Sequence, residues 1–332
     1  MIIPNINHNS SQTSSIGLVE GLGQPATANV SVYNSSNQLV AQQEVSIAPG
    51  GLVDLTSMLE GQSVTGGRAE VTVSSETGQV MAFNQLASVV NGDTQFVVAS
   101  SLSANREKRI IPGVAATDTT DGSRQTDLYL YNSGVEEQVV TVTFYPESNP
   151  ESAATRQITL QPGEGTVLED VVADTFNESN RRGAIHLDSS ASELLVVSAA
   201  AYADGSQGRV GSLLPTVSAS EAAGMSDRPL QMLQLQESDD YSTDIGIAEV
   251  SGSDATVEIS VVAPGSLSSP AVQMQLKANE FRQVTAVLNQ LGLGTTYNAR
   301  VSVRVVDGNG KVVSYACLID ESSRDETVIP GQ

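Results

Sequence analysis

The 332-residue chain reads as all-β: three tandem antiparallel β-sandwich domains, each with one short helix. Three observations predict this. The apolar content, 39% of the residues, is carried by Val, Ile, Leu and Ala, with 4% aromatics and no Trp, a composition suited to many short, half-buried strands. Apolar and polar residues alternate in short runs bounded by Gly, Pro, Asn and Asp. One phrase also recurs, most clearly over residues 157–176: a strand, a Pro162-Gly163 turn, then Val167, Leu168, Val171, Val172 and Phe176 at a spacing that predicts one amphipathic helix.

Residues 1–108 open on Ile2-Ile3-Pro4 and a polar, Asn- and Ser-rich stretch through Ser15. Strand-like alternation follows over 28–33 and 40–47, and Pro49-Gly50 turns into an expected helix from Leu52 to Leu59. Strands are expected over 68–73, 80–86 and 96–99, with a Glu76-Thr77-Gly78 turn and an Asn91-Gly92 hairpin signal between them. Residues 109–210 repeat the plan. Ile110-Ile111-Pro112 opens it, strands follow over 126–131 and 139–145, then the Pro162-Gly163 phrase, and strands over 183–187 and 194–202. Residues 211–332 do so a third time, from Leu213-Leu214-Pro215, with Ala278-Asn279 in place of Pro-Gly, a helix over 284–291, and strands over 299–305 and 312–319. The chain closes on Val328-Ile329-Pro330.

Pro4, Pro112, Pro215 and Pro330 stand 108, 103 and 115 residues apart. A period near 100 suits whole domains rather than a solenoid. About seven short strands per period match the rhythm of an immunoglobulin-like sandwich. The joints, 105–113 and 208–216, are short and not dominated by Gly or Ser, which predicts a stiff rod.

In the middle unit, Thr126-Asp-Leu-Tyr-Leu-Tyr-Asn132, Val140-Thr-Val-Thr-Phe-Tyr-Pro146, Leu160-Gln-Pro-Gly-Glu164 and Val167-Leu-Glu-Asp-Val-Val172 resemble the repeated immunoglobulin-like β-sandwich modules of large secreted bacterial proteins. The resemblance covers residues 109–215 well, the first unit faintly and the third only in topology. It implies an exported structural or adhesive array and carries over no functional residue.

Charge narrows the function classes. Sixteen Lys and Arg against 38 Asp and Glu leave a net charge of −22, which repels phosphate backbones and anionic lipid, so neither nucleic-acid nor membrane-surface binding is expected. Only Lys108, Lys277 and Lys311 are lysines. Such a surface suits salt water or divalent cations, or reflects plain solubility. No apolar run is long enough to span a bilayer. Met1-Ile-Ile-Pro-Asn5 does not read as a signal peptide, which leaves a cytoplasmic protein or a mature or excised part of a longer one.

No catalytic constellation is expected. His186 alternates with Ile185 and Leu187 and should face solvent, at the position of Thr72 and Ser302, and His8 sits in a polar stretch. Neither lies near a Gly-x-Ser-x-Gly turn. Cys317, the single cysteine, reads as a buried inert thiol, so no intrachain disulfide or Cys-based metal cluster is available. Calcium is the one cofactor to weigh, at Asp118, Asp121 and Asp127 or at Glu237, Asp239, Asp240 and Asp244, though neither group has EF-hand spacing. The expected role is non-enzymatic: an extracellular or cell-surface structural or adhesive subunit that associates with itself, as a filament or lattice, or with other surface proteins. Ile2, Ile3, Pro4, Val328, Ile329 and Pro330 are the candidate residues for head-to-tail docking. The alternative is a module binding glycan or protein through loops at one end of a sandwich.

Overall fold

A computed structural model describes the chain except for residues 76, 101–106, 120–121, 190, 206–207 and 266–268. The expected turn residue Glu76, the acidic residue Asp121 and the start of the first joint lie outside the described residues.

The strands fall into three groups. The first contains β1 (Ile2–His8), β2 (Gln12–Glu20), β3 (Ala26–Tyr33), β4 (Leu39–Ile47), β5 (Leu52–Asp54), β6 (Val64–Val73), β7 (Val80–Ser88) and β8 (Thr94–Val98). They form two antiparallel sheets, β1-β6-β3-β4 and β5-β2-β7-β8, with Ile3, Ile16, Leu18, Val30, Val32 and Leu59 buried between them. The second group contains β9 (Arg109–Thr119), β10 (Gly122–Asn132), β11 (Gln138–Pro146), β12 (Ala154–Leu160), β13 (Gly165–Leu168), β14 (Arg181–Ser189), β15 (Leu195–Gly205), β16 (Gly208–Leu214) and the two-residue β17 (Val217–Ser218). Its strand orders are β12-β11-β14-β9 and β13-β10-β15-β16, joined into one sheet through the β9–β10 hairpin. The third contains β18 (Leu230–Glu237), β19 (Tyr241–Glu249), β20 (Ala255–Val262), β21 (Ala271–Leu276), β22 (Phe281–Val284), β23 (Thr296–Gly308), β24 (Val312–Asp320) and β25 (Glu326–Pro330). They are ordered β18-β23-β20-β21 and β22-β19-β24-β25. The strand order is the same three times.

Local chemistry explains the repetition. Along β11 the residues Val140, Val142 and Phe144 enter the core while their neighbours face outward, the period of two that places alternate side chains on opposite faces. The Pro162-Gly163 turn needs a left-handed residue, and Gly163 (φ 72°), Gly50 (φ 64°) and Asn279 (φ 60°) all supply it. Asn tolerates that conformation better than other non-glycine residues, which explains Ala278-Asn279 in the third copy. The opening strand of each group bulges at a second left-handed residue: Asn5 (φ 57°), Gly113 (φ 87°) and Gln234 (φ 63°).

Eight strands recur in each group, with the two-residue β17 added to the second, where about seven were expected, and the single helices are replaced. Residues 167–168, 52–54 and 284 belong to the short edge strands β13, β5 and β22. One helical turn follows each: Val171–Thr175, Thr56–Leu59 and Val287–Gln290. Over so few residues a strand followed by a turn and a continuous helix make the same apolar pattern. One helical turn cannot hold alone. It is pinned by burial of Val171, Val172, Leu59, Val287 and Leu288 and, in the second and third groups, by a carboxylate below it. Asp127 accepts the N–H of Asp170 at 3.0 Å, and Asp244 that of Ala286 at 2.9 Å.

A second anchor recurs at the end of the second strand. Glu20 and Glu249, almost fully buried, accept backbone N–H groups from three separate turns: Leu22, Gly50 and Gln79 for Glu20, and Gly252, Asn279 and Lys311 for Glu249. Asn132 holds the matching place, donating to the carbonyls of Glu136, Leu160 and Gln161.

The four Ile-Ile-Pro-like segments are not equivalent. Ile2-Ile3-Pro4 and Ile110-Ile111-Pro112 lie in the opening strands β1 and β9, whereas Leu213-Leu214 and Val328-Ile329-Pro330 lie in the closing strands β16 and β25. No internal segment closes one group and opens the next. β16 runs through the expected 210/211 boundary, and the third group opens at Leu230. The run Gln12–Glu20, which begins inside the stretch read only as polar through Ser15, is the central strand β2. Its Ser14 is buried because it accepts hydrogen bonds from the Asn7 backbone and from Asn84 Nδ2.

Candidate functional site

The surfaces with distinctive chemistry are the joints between the groups. At the first, the Arg68 guanidinium lies between two rings, 4.4 Å from the Tyr33 centroid and 4.1 Å from that of Tyr131 in the second group. Glu70 completes the clamp. Arg68 Nε donates to its Oε1 at 2.9 Å, and the Tyr131 hydroxyl donates to the same oxygen at 2.9 Å. Burial pushes the Tyr131 hydroxyl up to about 12, with the Arg68 charge pulling the other way. Ile2, Tyr131 and Val196 form a small buried cluster beside it.

The second joint is apolar at its centre. Phe281, Ala248, Val313 and Tyr315 of the third group bury against Ile110 and Ala184 of the second. The Tyr315 ring lies across Gly246 and reaches Gly113, and a Cβ at either glycine would stand within 2.3 Å of it. Burial drives the Tyr315 and Cys317 ionisations well above their ordinary ranges, so neither is primed as a nucleophile. The Cys317 thiol donates to Glu326 Oε2 at 3.2 Å, and the same carboxylate pairs with Arg124 of the second group. Arg182 and Glu147 pair at 3.0 Å, and Glu147 Oε1 also accepts the Gln283 N–H at 2.8 Å.

His186 corrects an expectation. It does point away from its own core, yet it is buried, its ring 4.6 Å from that of Tyr145. Burial, and then the Lys108 charge, lower its pKa to about 4. Alternation gives the face of a sheet, and this face is covered by neighbouring structure. Register pairs it with Ile110 and equates it with Glu70 and Ser302, not Thr72.

The remaining sequence candidates are spread out. Ile2, Ile3 and Pro4 are buried in β1. Val328 and Ile329 are half-buried, Val328 against the second joint and Ile329 against the third core, while Pro330 is exposed. The Gln332 carbonyl accepts the Gln231 N–H at 2.8 Å, tying the C-terminus to β18. Asp127 also accepts the Tyr202 hydroxyl at 2.9 Å. Glu237 accepts Asn289 Nδ2 at 2.8 Å, and Asp244 accepts Gln283 Nε2 at 2.6 Å. These carboxylates serve as internal anchors. Among the described residues no three His, Cys, Asp or Glu are arranged to hold a metal. A cleft of about 390 Å³ with a mixed lining lies between the first two groups, where Gln12, Gln95, Tyr129 and Glu169 stand beside Leu86 and Val167.

Sequence reasoning missed one surface, the outer face of sheet β5-β2-β7-β8. Leu52, Met81, Phe96 and Val98 are exposed there beside half-buried Val19 and Phe83. The signal was legible: in Val80-Met-Ala-Phe83 both alternating sets are apolar.

No protein-family model matches the chain, and no curated protein matches it. Two solved structures are weakly similar. One, titled as the crystal structure of Thermotoga maritima 1070, has a TM-score of 0.28 at 15% identity, over 35% of this chain and 94% of that one. The other, a tetra-tandem repeat in the extending region of a large adhesion protein, has a TM-score of 0.15 at 13% identity, over 96% of this chain and 73% of that one.

Proposed function

We propose that the chain is a non-enzymatic structural or adhesive protein of a bacterial cell surface. In this reading its three strand groups are immunoglobulin-like sandwich domains, stacked as a stiff spacer that associates with itself or with other surface proteins. The observation that carries the reading is the pair of buried joints: an Arg68–Tyr131 clamp at one and a Phe281–Tyr315 core at the other. Domains that hold one orientation transmit position and force, which flexible tethers do not. The net charge of −22 favours neither nucleic acid nor anionic membrane as partner, and among the described residues no helix is long and apolar enough to cross a bilayer. The experiment is protease shaving and immunogold labelling of intact cells of the source organism. Surface labelling that shaving removes supports the reading; labelling only after lysis would overturn it.

A second reading rests on the 390 Å³ cleft, whose amides, hydroxyls and Tyr129 suit a glycan. Titration calorimetry against neutral oligosaccharides, repeated on Gln12→Ala, tests it.

A further inference from the structure

Strand register superposes the three groups position by position and shows what each sheet of the β5-β2-β7-β8 type does with its outer face. Val19 pairs with Leu52 on one side and Met81 on the other. Tyr131 pairs likewise with Gly165 and Val196, and Ala248 with Phe281 and Val313. In the second group this row faces the first: Tyr131 and Val196 are buried with Ile2. In the third it faces the second: Ala248, Phe281 and Val313 are buried with Ile110 and Ala184. Ile2 and Ile110 are themselves equivalent, each opposite the same position of the pairing strand. Each such face therefore covers the outer face of the other sheet in the preceding group.

In the first group the row is open. Leu52 is 64% exposed and Met81 60%, while Phe281 and Val313 at the same places are 0% and 2%. The next positions follow suit. Phe83 lies across Gly17 as Tyr315 lies across Gly246, and Phe96, 59% exposed, occupies the place of Leu213 and Val328, which pack on the first core and the second joint.

The opposite end is open in the complementary way. On the outer face of β18-β23-β20-β21, Val262 and Arg300 stand where Tyr33 and Arg68 stand in the first group, and both are exposed. Gln234 repeats the left-handed bulge of Gly113, the residue that the Tyr315 ring reaches.

We propose that these two faces bind each other between copies of this chain. The outer face around Leu52, Met81 and Phe83 of one copy docks on the outer face around Val262 and Arg300 of the next, repeating the step that the chain makes twice internally. The contact is heterologous, so it leaves a free face at each end and propagates as an open filament. It rests on the reading of the chain as a self-associating structural protein. It also replaces the terminal segments, whose Ile2 and Ile3 are already buried, with a sheet face as the docking surface.

The test is sedimentation velocity on the full chain and two charge variants at exposed positions, Met81→Glu and Val262→Glu, with Leu52→Ser and Arg300→Ser as milder second variants. Wild type is expected to form a concentration-dependent ladder of oligomers. Each Glu variant alone is expected to stay monomeric, its dissociation constant raised more than about 100-fold by a charge desolvated in an apolar contact. The two mixed in equal amounts should form a dimer that grows no further, because each keeps the face the other has lost. Wild type that stays monomeric up to its solubility limit would overturn the proposal. So would association that Met81→Glu abolishes and Val262→Glu leaves intact, since the face would then pair with itself. Either failure leaves the surface-labelling result standing, so the location of the protein and the geometry of its assembly are tested separately.

Discussion

Phe281 and Leu52 occupy one topological position in two strand groups, and the structure gives them opposite fates. The Phe281 side chain is fully buried at the second joint. Replacing it with Ala forfeits the burial of on the order of 150–200 Å² of apolar surface, worth about 4–5 kcal/mol at roughly 25 cal/mol per Å². Measured Phe-to-Ala substitutions in cores span about 3–5 kcal/mol. Leu52 keeps about a third of its surface out of water, so Leu52→Ala should cost under about 1 kcal/mol in the isolated chain. Differential scanning calorimetry on dilute protein, with hydrogen exchange read at β22 and β24, checks both. Phe281→Ala should lower the first melting transition and speed exchange along those strands, and Leu52→Ala should do neither. Equal small losses for the two variants would refute the claim that the joint is a packed core.

Other outcomes follow from single groups. Glu20 is held near 2, against an ordinary 4.5, first by the Gly50 N–H and then by those of Leu22, Gln79 and Gly23. A depressed carboxylate stabilises the fold above about pH 4.5 and loses that contribution as pH falls toward 2, so Glu20→Gln should flatten the acid limb of a stability–pH curve over that window. His186 has the opposite chemistry and the same sign. Its folded pKa of about 4 lies below the ordinary 6.5, so stability is full above 6.5 and declines toward pH 4, by on the order of 3 kcal/mol. His186→Gln should remove that slope in acid titrations followed by circular dichroism. Val172→Asp buries an unpaired charge beside Val171 in the second core and should cost several kcal/mol, whereas the half-buried Leu168 should tolerate Asp better; expression yield and melting temperature distinguish the two.

The antiparallel all-β character and the repetition were legible because they rest on local signals. The period-two runs at Val140–Phe144 and the left-handed turn at Gly163 are fixed by a few neighbouring residues. Three features were not legible. The start of β2, through Ser15, reads only as a polar stretch because Ser14 is polar, and its burial depends on Asn84, 70 residues away. The stretch 167–176 reads as one helix because the partner that makes Val167 a strand residue, Tyr129, is 38 positions upstream. His186 reads as exposed because alternation knows only its own sheet, and the structure covering its outer face is not encoded in that stretch. The candidate site lay in this last category: sequence period shows that Met81 and Phe83 share a face, and only the positions of Val313 and Tyr315 show what such a face is for.

The three matching faces differ in composition in a way that solubility alone does not explain. A sheet face left permanently in water invites edge-to-edge and face-to-face aggregation, and proteins usually blunt it with charge. This chain has 38 acidic residues available, and the cheapest protection would be Glu or Lys at Leu52, Met81, Phe96 and Val98. Apolar side chains stand there instead, and a glycine at 17 gives the Phe83 ring room to lie flat. The same economy appears where the face is known to be covered, with Gly246 under Tyr315. A device built twice, once under a cover and once without one, argues that the open copy is built for a cover too. The exposed apolar face of the first group is therefore better explained as the unmatched half of a repeating joint than as a defect of the surface.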